Sequence, residues 1–298
     1  MKKTVIFSGA GCALITPFRD GAIDFPTLKE LINIQIESGT DAIIVGGTTG
    51  ECATLSDDER YRLFSFSRAE IGGRCKLILG TGTNDTKAAV RHTMLASRIG
   101  CDGVLAVTPY YNKGTESGIV KHYLQIAEAS TVPVLLYNVP SRTGVNLSIS
   151  TLHELSEHEN IVGIKEASDS LDRYISLAAM TDKLSLYAGN DSQIFTTLAL
   201  RGVGVISVMS NLYPREVKEI IKRYESGDRE GSLTLQLRAL PLINALFKET
   251  NPAPIKYAMS SVGLCAGELR LPLSEVGDAT KSCIERAMEE FEHRGMSI

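Results

Sequence analysis

The segment from Pro133 to Ser168 reads PVLLYNVPSRTGVNLSISTLHELSEHENIVGIKEAS and contains two short apolar runs. The runs Val134–Leu136 and Ile161–Ile164 are leucine-rich or β-branched and are bounded by proline or polar residues. This pattern is typical of strands that are buried on both faces of a parallel sheet. Tyr137 follows the first run and Lys165 follows the second. If the two strands are neighbours, a phenol and an amine lie side by side at their carboxyl ends.

The alternation of side chains along the second strand gives Lys165 a predicted face and two possible roles. Lys165 is expected to share a face with Gly163 and Ile161, and Glu166 is expected to face the opposite side of the sheet. Loss of hydration at so apolar a strand end disfavours a charged amine, so one interpretation is a Schiff-base lysine with a tyrosine proton shuttle. The alternative is a strand-end lysine whose head group reaches water.

Strand and helix patterns alternate along most of the chain, with short connections. Such alternation predicts right-handed crossovers and a parallel sheet, and eight repeats favour an α/β fold with a closed (β/α)8 TIM barrel over an open doubly wound sheet. The alternation stops after about Gly227, so we predict a barrel catalytic domain in residues 1–226 and a C-terminal helical domain in residues 227–298. The strands are expected at Ala10–Thr16, Asp41–Gly46, Lys76–Gly80, Gly103–Thr108, Val134–Tyr137, Ile161–Lys165, Leu184–Ala188 and Val203–Val208.

Polar residues mark the expected starts of several helices. Ser56 with Glu59 three residues later predicts a capping box. Asn84 and Asp191 are each expected to cap the helix that follows them, because short polar side chains satisfy free backbone N–H groups at such positions. The last helix is expected over Ser274–Arg294.

The composition argues against several classes of function. A net charge of −4 and the lack of a basic run interleaved with aromatic residues argue against binding of nucleic acid or acidic lipid. The six cysteines show neither a CxxC motif nor Cys/His ligand spacing, so they are interpreted as buried thiols of a reducing compartment and not as disulfides or a zinc site. The apolar patch within Met1–Phe7 is too short for a signal peptide and no run reaches transmembrane length, so a cytoplasmic location is expected.

Barrel active sites lie at the carboxyl ends of the strands, and candidate residues follow several strands here. The guanidinium of Arg142 suits a carboxylate, although a surface salt bridge is the alternative. Small residues in Gly46–Gly50 let a ligand oxygen approach backbone N–H groups, but Thr48 and Thr49 are equally consistent with a plain turn, and the loop lacks the ending of a P-loop. The residues just past the strand ends are Thr48, Thr49, Tyr111, Tyr137, Arg142, Lys165 and Gly189.

Four motifs in chain order resemble those of the dihydrodipicolinate synthase family, a group of pyruvate-dependent class I aldolases. The motifs are GTTGE at Gly47–Glu51, TPYYN at Thr108–Asn112, YNVPSRTG at Tyr137–Gly144 and GIKE at Gly163–Glu166. The likeness covers nearly the whole chain and includes NPAPIK at Asn251–Lys256. It implies a (β/α)8 barrel with a helical C-terminal domain.

The resemblance also implies a reaction that needs no cofactor and no metal. Lys165 would form an imine with pyruvate, and the derived enamine would attack the aldehyde of L-aspartate 4-semialdehyde. The product would be 4-hydroxy-tetrahydrodipicolinate, in the first committed step of diaminopimelate and lysine biosynthesis. Tyr137 would act as general acid and base, relaying protons through Thr48 and Tyr111. In this family Tyr111 is donated across a tight dimer interface, which implies at least a dimer and, as a dimer of dimers, a homotetramer.

The remaining site residues are assigned by the same resemblance. Thr49, with the N–H of Thr48, would hold the pyruvate carboxylate, and Arg142 would bind the carboxylate of the semialdehyde. Gly189 and Ile206 match positions that line the lysine pocket through backbone atoms.

The same residues have two alternative interpretations. N-acetylneuraminate lyases and keto-deoxy sugar acid aldolases share the lysine and the tyrosine, but they typically lack the arginine found here at Arg142, and Thr48–Thr49 is usually altered. A barrel that binds a metabolite without catalysis is the other alternative.

Lysine-inhibited relatives usually carry histidine or glutamate where this chain has Asp57, Arg60 and Ala88, so weak or absent inhibition by L-lysine is predicted.

Overall fold

The computed structural model describes residues 4–293, which form a closed barrel of eight parallel strands surrounded by helices. Each strand pairs with the next one along the chain, and β1 closes the ring by pairing with both β2 and β8. The predicted TIM barrel is therefore confirmed. The strands are β1 (Gly9–Ala13), β2 (Ala42–Val45), β3 (Lys76–Gly80), β4 (Gly103–Val107), β5 (Val134–Asn138), β6 (Ile161–Glu166), β7 (Ser185–Ala188) and β8 (Gly204–Ser207).

Twelve α-helices and three short 3-10 helices are found among the described residues, and the α-helices that connect successive strands cover the outside of the barrel. Phe18–Arg19 and Ala22–Ile23 form a small antiparallel ribbon after β1. The helices are α1 (Phe25–Glu37), α2 (Asp57–Ile71), α3 (Thr86–Ile99), α4 (Glu116–Ala129), α5 (Pro140–Thr143), α6 (Ile149–Ser156), α7 (Leu171–Ala178), α8 (Ile194–Ala199), α9 (Pro214–Glu225), α10 (Arg229–Leu246), α11 (Ala253–Ser261) and α12 (Asp278–His293).

Strand β6 contains a bulge at Val162, where its register with β5 shifts by one residue. As a result Val162 belongs to the hydrophobic cluster inside the barrel, whereas Ile161 belongs to the cluster between strands and helices. The predicted common face of Ile161 and Lys165 is therefore wrong, because a bulge reverses the alternation of side chains on one side of it. Beyond the bulge the register is regular, and Tyr137 is the direct partner of Lys165.

Glu166 lies on the outer side of β6, as the alternation predicts. Its Oε2 accepts a hydrogen bond from Nε of Arg173 at 2.8 Å, and its Oε1 accepts one from Nδ2 of Asn138 at 2.9 Å. Both members of the ion pair are buried. A buried pair of this kind is destabilising when broken, so these bonds hold the end of β6 in one position.

Two helix starts test the predicted caps. Helix α2 has the expected capping box, since Ser56 Oγ accepts from the Glu59 N–H at 3.2 Å and Glu59 Oε2 accepts from the Ser56 N–H at 3.0 Å. Helix α3 is capped by Asp85 and not by Asn84. A carboxylate satisfies the free N–H groups and also interacts favourably with the positive end of the helix dipole, which a neutral amide does less well.

Helices α10 to α12 pack onto the helical layer of the barrel. Leu242 and Ile284 belong to the same hydrophobic cluster as barrel residues such as Leu136 and Ile164. Because one cluster spans both parts, the division between residues 226 and 227 stays a prediction. The predicted final helix ends at His293 as far as the structure describes it, and Arg294 lies outside the described residues. No helix within residues 4–293 is long and apolar enough to span a membrane.

Candidate active site

Lys165 and Tyr137 lie side by side at the carboxyl ends of β6 and β5. Their direct pairing in a parallel register points both side chains to the same side of the sheet. Nζ of Lys165 is 4.4 Å from the centre of the Tyr137 ring, and the two residues are 5% and 7% exposed. The amine is therefore buried beside the phenol, which disagrees with the alternative of a head group that reaches water.

Burial lowers the pKa of Lys165 from 10.5 to about 8. Among the nearby charges, Asp191 opposes this shift and Arg142 adds to it. About a tenth of the amine is therefore neutral at pH 7, against well under a thousandth for an ordinary lysine. Since the neutral amine is the nucleophile, the position suits attack on a carbonyl carbon.

This pKa predicts how covalent capture of a small keto acid depends on pH. The rate of imine formation is expected to rise about tenfold from pH 6 to pH 7 and to level off above about pH 8, because the neutral fraction of Lys165 follows its pKa. Single-turnover trapping with borohydride, quantified by intact mass, measures this rate. A rate that keeps rising to pH 10 would show that the amine has an ordinary pKa.

Tyr137 is held as a neutral phenol. Burial raises its pKa, while the charge of Arg142 and a hydrogen bond with the side chain of Thr48 act in the opposite direction. A neutral phenol can both donate and accept a proton at short range. The group is therefore suited to general acid–base work on an atom bound to Nζ of Lys165.

The loop Gly46–Glu51 follows β2 and brings Thr48 to this pair, with Thr49 next to it in the chain. Gly46 has a φ of 66°, a conformation that residues with a side chain rarely adopt. Thr48 is half-buried and Thr49 is 3% exposed. Oγ1 of Thr49 accepts a hydrogen bond from Nδ2 of Asn251 at 2.9 Å. The loop is therefore fixed by the C-terminal part of the chain, and a free surface turn is not what the structure shows.

Arg142 lies in the short helix α5 after β5. Its Nη2 donates to the main-chain oxygen of Asn251 at 2.7 Å, so this bond goes to a carbonyl and not to the carboxylate of a surface salt bridge. The residue is otherwise exposed, and its charge acts on the pKa of both Lys165 and Tyr137. The guanidinium is therefore near the buried pair and keeps other N–H groups available for an anion.

A profile described as the dihydrodipicolinate synthetase family matches residues 6–291. The chain belongs to this family. A relative from Clostridium novyi, named 4-hydroxy-tetrahydrodipicolinate synthase, is 45% identical over 96% of this chain and 97% of its own length. A solved dihydrodipicolinate synthase from Aquifex aeolicus has a TM-score of 0.94 and 40% identity, covering 96% of this chain and 98% of that one. The chloride-inhibited synthase from Acinetobacter baumannii complexed with pyruvate has a TM-score of 0.93 and 37% identity, covering 96% and 99%.

The family match confirms the resemblance that the four motifs indicated. The protein is an enzyme of the dihydrodipicolinate synthetase family, a lyase on a TIM barrel. The sugar acid aldolase alternative is not favoured, because the relatives carry the synthase name. The roles of individual residues stay predictions.

Gly189 and Ile206 are assigned to the pocket by the family resemblance; Gly189 directly follows β7, and Ile206 lies within β8. The N–H of Gly189 donates to the carbonyl oxygen of Glu166 at 2.6 Å, and a Cβ at this position would lie 2.6 Å from that of Ala167. Only glycine therefore fits there. Ile206 is fully buried in the cluster inside the barrel. Their contact with a substrate remains a prediction for this dihydrodipicolinate synthetase family member.

Tyr111 is not part of the buried group within a single chain. Its side chain is 88% exposed and its φ is 71°, which is unfavourable for a residue with a side chain. A large exposed aromatic in a strained conformation agrees with the expectation, taken from the family, that this residue is donated to a neighbouring protomer. The dimer itself stays a prediction.

Asn251 was not identified as a candidate from the sequence, although it contacts both Thr49 and Arg142. The two contacts join residues 202 and 109 positions apart in the chain, so no local pattern could reveal them. The only signal was the presence of Asn251 in one of the motifs shared with the family. Asn251 reaches the site through tertiary packing alone, and it does not follow a strand.

Asp191 has a different role from the predicted helix cap. Its Oδ2 accepts hydrogen bonds from the N–H groups of Val208 and Met209, each at 3.0 Å, so the carboxylate ties the loop after β7 to the loop after β8. Burial raises its pKa, while the hydrogen bonds and Lys165 oppose the shift. The predicted cap is therefore wrong, because Oδ2 of this carboxylate accepts from buried backbone donors in a neighbouring loop and not from the start of the following helix.

A cavity of about 220 Å³ opens between the strand ends and helix α10. It is lined on the barrel side by Ser141, Ala167 and Asp191 and on the helix side by Asn244 and Phe247. Ser141 directly precedes Arg142, and Ala167 directly follows β6, the strand that carries Lys165. The cavity therefore offers space next to both Arg142 and Lys165.

Proposed function

We propose that this chain is a 4-hydroxy-tetrahydrodipicolinate synthase that condenses pyruvate with L-aspartate 4-semialdehyde. The observation that carries the proposal is the buried amine of Lys165, with a pKa of about 8, lying 4.4 Å from the Tyr137 ring in a member of the dihydrodipicolinate synthetase family. A related synthase has been solved with pyruvate, which supports the first substrate. The names of the relatives support the second.

In the first half-reaction, Nζ of Lys165 attacks the ketone carbon of pyruvate. Loss of water from the adduct gives a protonated imine, and the phenol of Tyr137 supplies the proton that the departing hydroxyl needs. The positive imine withdraws electrons, so the methyl carbon loses a proton and an enamine forms. General acid–base assistance of this kind is typically worth ~10²–10⁴ in rate.

In the second half-reaction, the enamine carbon adds to the aldehyde carbon of the semialdehyde, and the aldehyde oxygen takes up a proton. The amino group of the adduct then attacks the imine carbon and displaces the amine of Lys165. The ring closes in the same step, so the lysine is regenerated when the product leaves. Thr49 and the Thr48 N–H would hold the first carboxylate, and Arg142 would hold the second.

Trapping with borohydride tests this function. Incubation with pyruvate and borohydride should add one reduced pyruvyl group per chain, which peptide mapping should place on Lys165. A metabolite-binding barrel would gain no adduct. Rates with the semialdehyde and with sugar aldehydes then separate the synthase from a sugar acid aldolase, which would prefer the latter.

The exposed side chain of Tyr111 supports an oligomeric enzyme. A partner protomer that covers this aromatic would complete a proton relay from Tyr137 through Thr48 to the Tyr111 of the other chain. We therefore propose that the enzyme is at least a dimer, and that it forms a tetramer as a dimer of dimers.

We also propose a cytoplasmic location. The chain is further proposed to divide into a barrel domain that ends at residue 226 and a C-terminal helical domain that begins at residue 227.

Inhibition by L-lysine is expected to be weak or absent. Asp57 is already bonded to Nε2 of His92 at 3.0 Å, and Nη2 of Arg60 donates to the carbonyl oxygen of Cys52 at 2.9 Å. Ala88 offers no carboxylate to an amino group. Initial rates with added lysine should therefore give half-inhibition only above about 1 mM, which corresponds to roughly 4 kcal/mol of binding. Submillimolar inhibition would contradict this expectation.

A further inference from the structure

Asn251 connects the two proposed anion-binding residues through separate atoms. Its side-chain Nδ2 donates to Oγ1 of Thr49 at 2.9 Å, and its main-chain oxygen accepts from Nη2 of Arg142 at 2.7 Å. The residue is 4% exposed and lies two positions before helix α11. A change of its side chain therefore acts on Thr49 and leaves the bond to Arg142 in place.

The direction of the bond to Thr49 decides what the threonine can offer a substrate. A hydroxyl carries one proton and can donate one hydrogen bond. Because Asn251 supplies the proton of the bond between them, the proton of the Thr49 hydroxyl stays free. The carboxylate of a substrate can only accept hydrogen bonds. The Thr49 hydroxyl already accepts from Asn251, so its own proton is available to donate to that carboxylate.

We propose that Asn251 is a positioning residue that orients the Thr49 hydroxyl as a donor to the carboxylate of the keto acid. The inference rests on the proposed function, in which Thr49 binds that carboxylate. Asn251 does not touch the reacting atoms in this scheme, and it acts through Thr49 alone.

The unpaired oxygen of the same amide supports a role in function. Oδ1 of Asn251 is buried and has no hydrogen-bond partner in the part of the chain that the structure describes. A buried acceptor without a partner is unfavourable for folding, so a residue kept for stability alone would pair both ends of its amide. The amide nitrogen of Asn251 is the atom that contacts Thr49.

The loop that carries Thr49 is anchored independently of the Asn251 side chain. Nζ of Lys256, in helix α11, forms a buried ion pair with Oε1 of Glu51 at 2.5 Å. The N–H of Arg270 also donates to Oε2 of Glu51, at 3.0 Å. Substitution at Asn251 therefore leaves the loop attached to the C-terminal helices, and a change in kinetics can be separated from loss of the fold.

The test is a double-mutant cycle between Asn251→Ala and Thr49→Val, with steady-state constants for both substrates. Asn251→Ala is expected to raise the KM for pyruvate about tenfold and to leave the KM for the semialdehyde within about twofold, because the carbonyl that holds Arg142 remains. In the Thr49→Val background the same substitution should change the pyruvate KM less than about twofold.

Asn251→Asp provides an isosteric control for the direction of the bond. When ionised, the aspartate can only accept, so the Thr49 hydroxyl must turn its proton away from the substrate, and the new negative charge also repels the keto acid. The pyruvate KM, measured where the aspartate is ionised, should therefore rise more than in the alanine variant, about 30-fold or above. If the melting temperature of the alanine variant falls by more than about 5 °C, Asn251→Ser takes its place, since its hydroxyl is too short to reach Thr49.

Three results would overturn the inference. The first is an equal rise in both KM values for Asn251→Ala, and the second is an undiminished effect in the Thr49→Val background. The third is an unchanged pyruvate KM in Asn251→Asp, which would mean that the amide accepts from Thr49. Failure of the proposed function is distinct, because the wild-type protein would then show neither turnover nor an adduct at Lys165.

Discussion

Replacing Lys165 with alanine is expected to reduce turnover of pyruvate and the semialdehyde by about 10⁴-fold or more, because no imine can form without the amine. Initial rates measure the loss, and borohydride trapping with pyruvate should give no adduct. The fold should remain, because the Lys165 side chain lies at the carboxyl end of β6. That end of the strand is held by the buried ion pair of Glu166 and Arg173. A variant that keeps a tenth of the rate would contradict the scheme.

Two matched variants separate chemistry from packing at this position. Lys165→Met retains the length of the side chain without the amine, and Lys165→Arg retains a positive charge that is a poor nucleophile. Both should be as inactive as the alanine variant. The methionine variant should melt no lower than the wild type. Burial lowers the pKa of Lys165 in the folded protein, so at neutral pH the unfolded chain binds the proton of this amine more tightly. The buried lysine therefore disfavours folding at neutral pH, and methionine removes that cost.

The barrel could be predicted because its strands carry a strong local signal. Lys76–Gly80 was predicted to the residue, and most other strands were placed within two residues at either end. Strand β1 stops at Ala13, earlier than expected, because the N–H of Ile15 donates to the side chain of Asn211 at 3.0 Å and not to a neighbouring strand. A side chain almost two hundred residues away ended this strand, and the sequence around Ile15 does not reveal that bond.

The candidate site was predictable where residues follow strand ends, and unpredictable where loops meet. Tyr137 and Lys165 were expected to be neighbours from two apolar runs, and the register shows them so. The bulge at Val162 was missed because an extra residue leaves the apolar pattern of β6 unchanged. Asn251 and Asp191 were missed or misassigned since their partners are in distant loops that only the closed barrel brings together.

Replacing Arg142 with alanine is expected to separate the two half-reactions. Loss of a charge-assisted pair with the second carboxylate should lower kcat/KM for the semialdehyde about 100-fold. Imine formation with pyruvate should be spared, because Thr49 holds that carboxylate in our scheme. Steady-state kinetics with varied semialdehyde and single-turnover trapping with pyruvate measure the two effects. Arg142→Lys should recover part of the loss, since it keeps the charge without the planar fork.

The charge of Arg142 also helps to lower the pKa of Lys165, so its removal should raise that pKa and slow trapping at pH 7. Trapping should therefore be compared at about pH 9, where most of the amine is neutral in both proteins. At that pH the alanine variant should capture pyruvate at nearly the wild-type rate. Equal damage to both half-reactions under these conditions would show that Arg142 supports the whole site and does not select the second substrate.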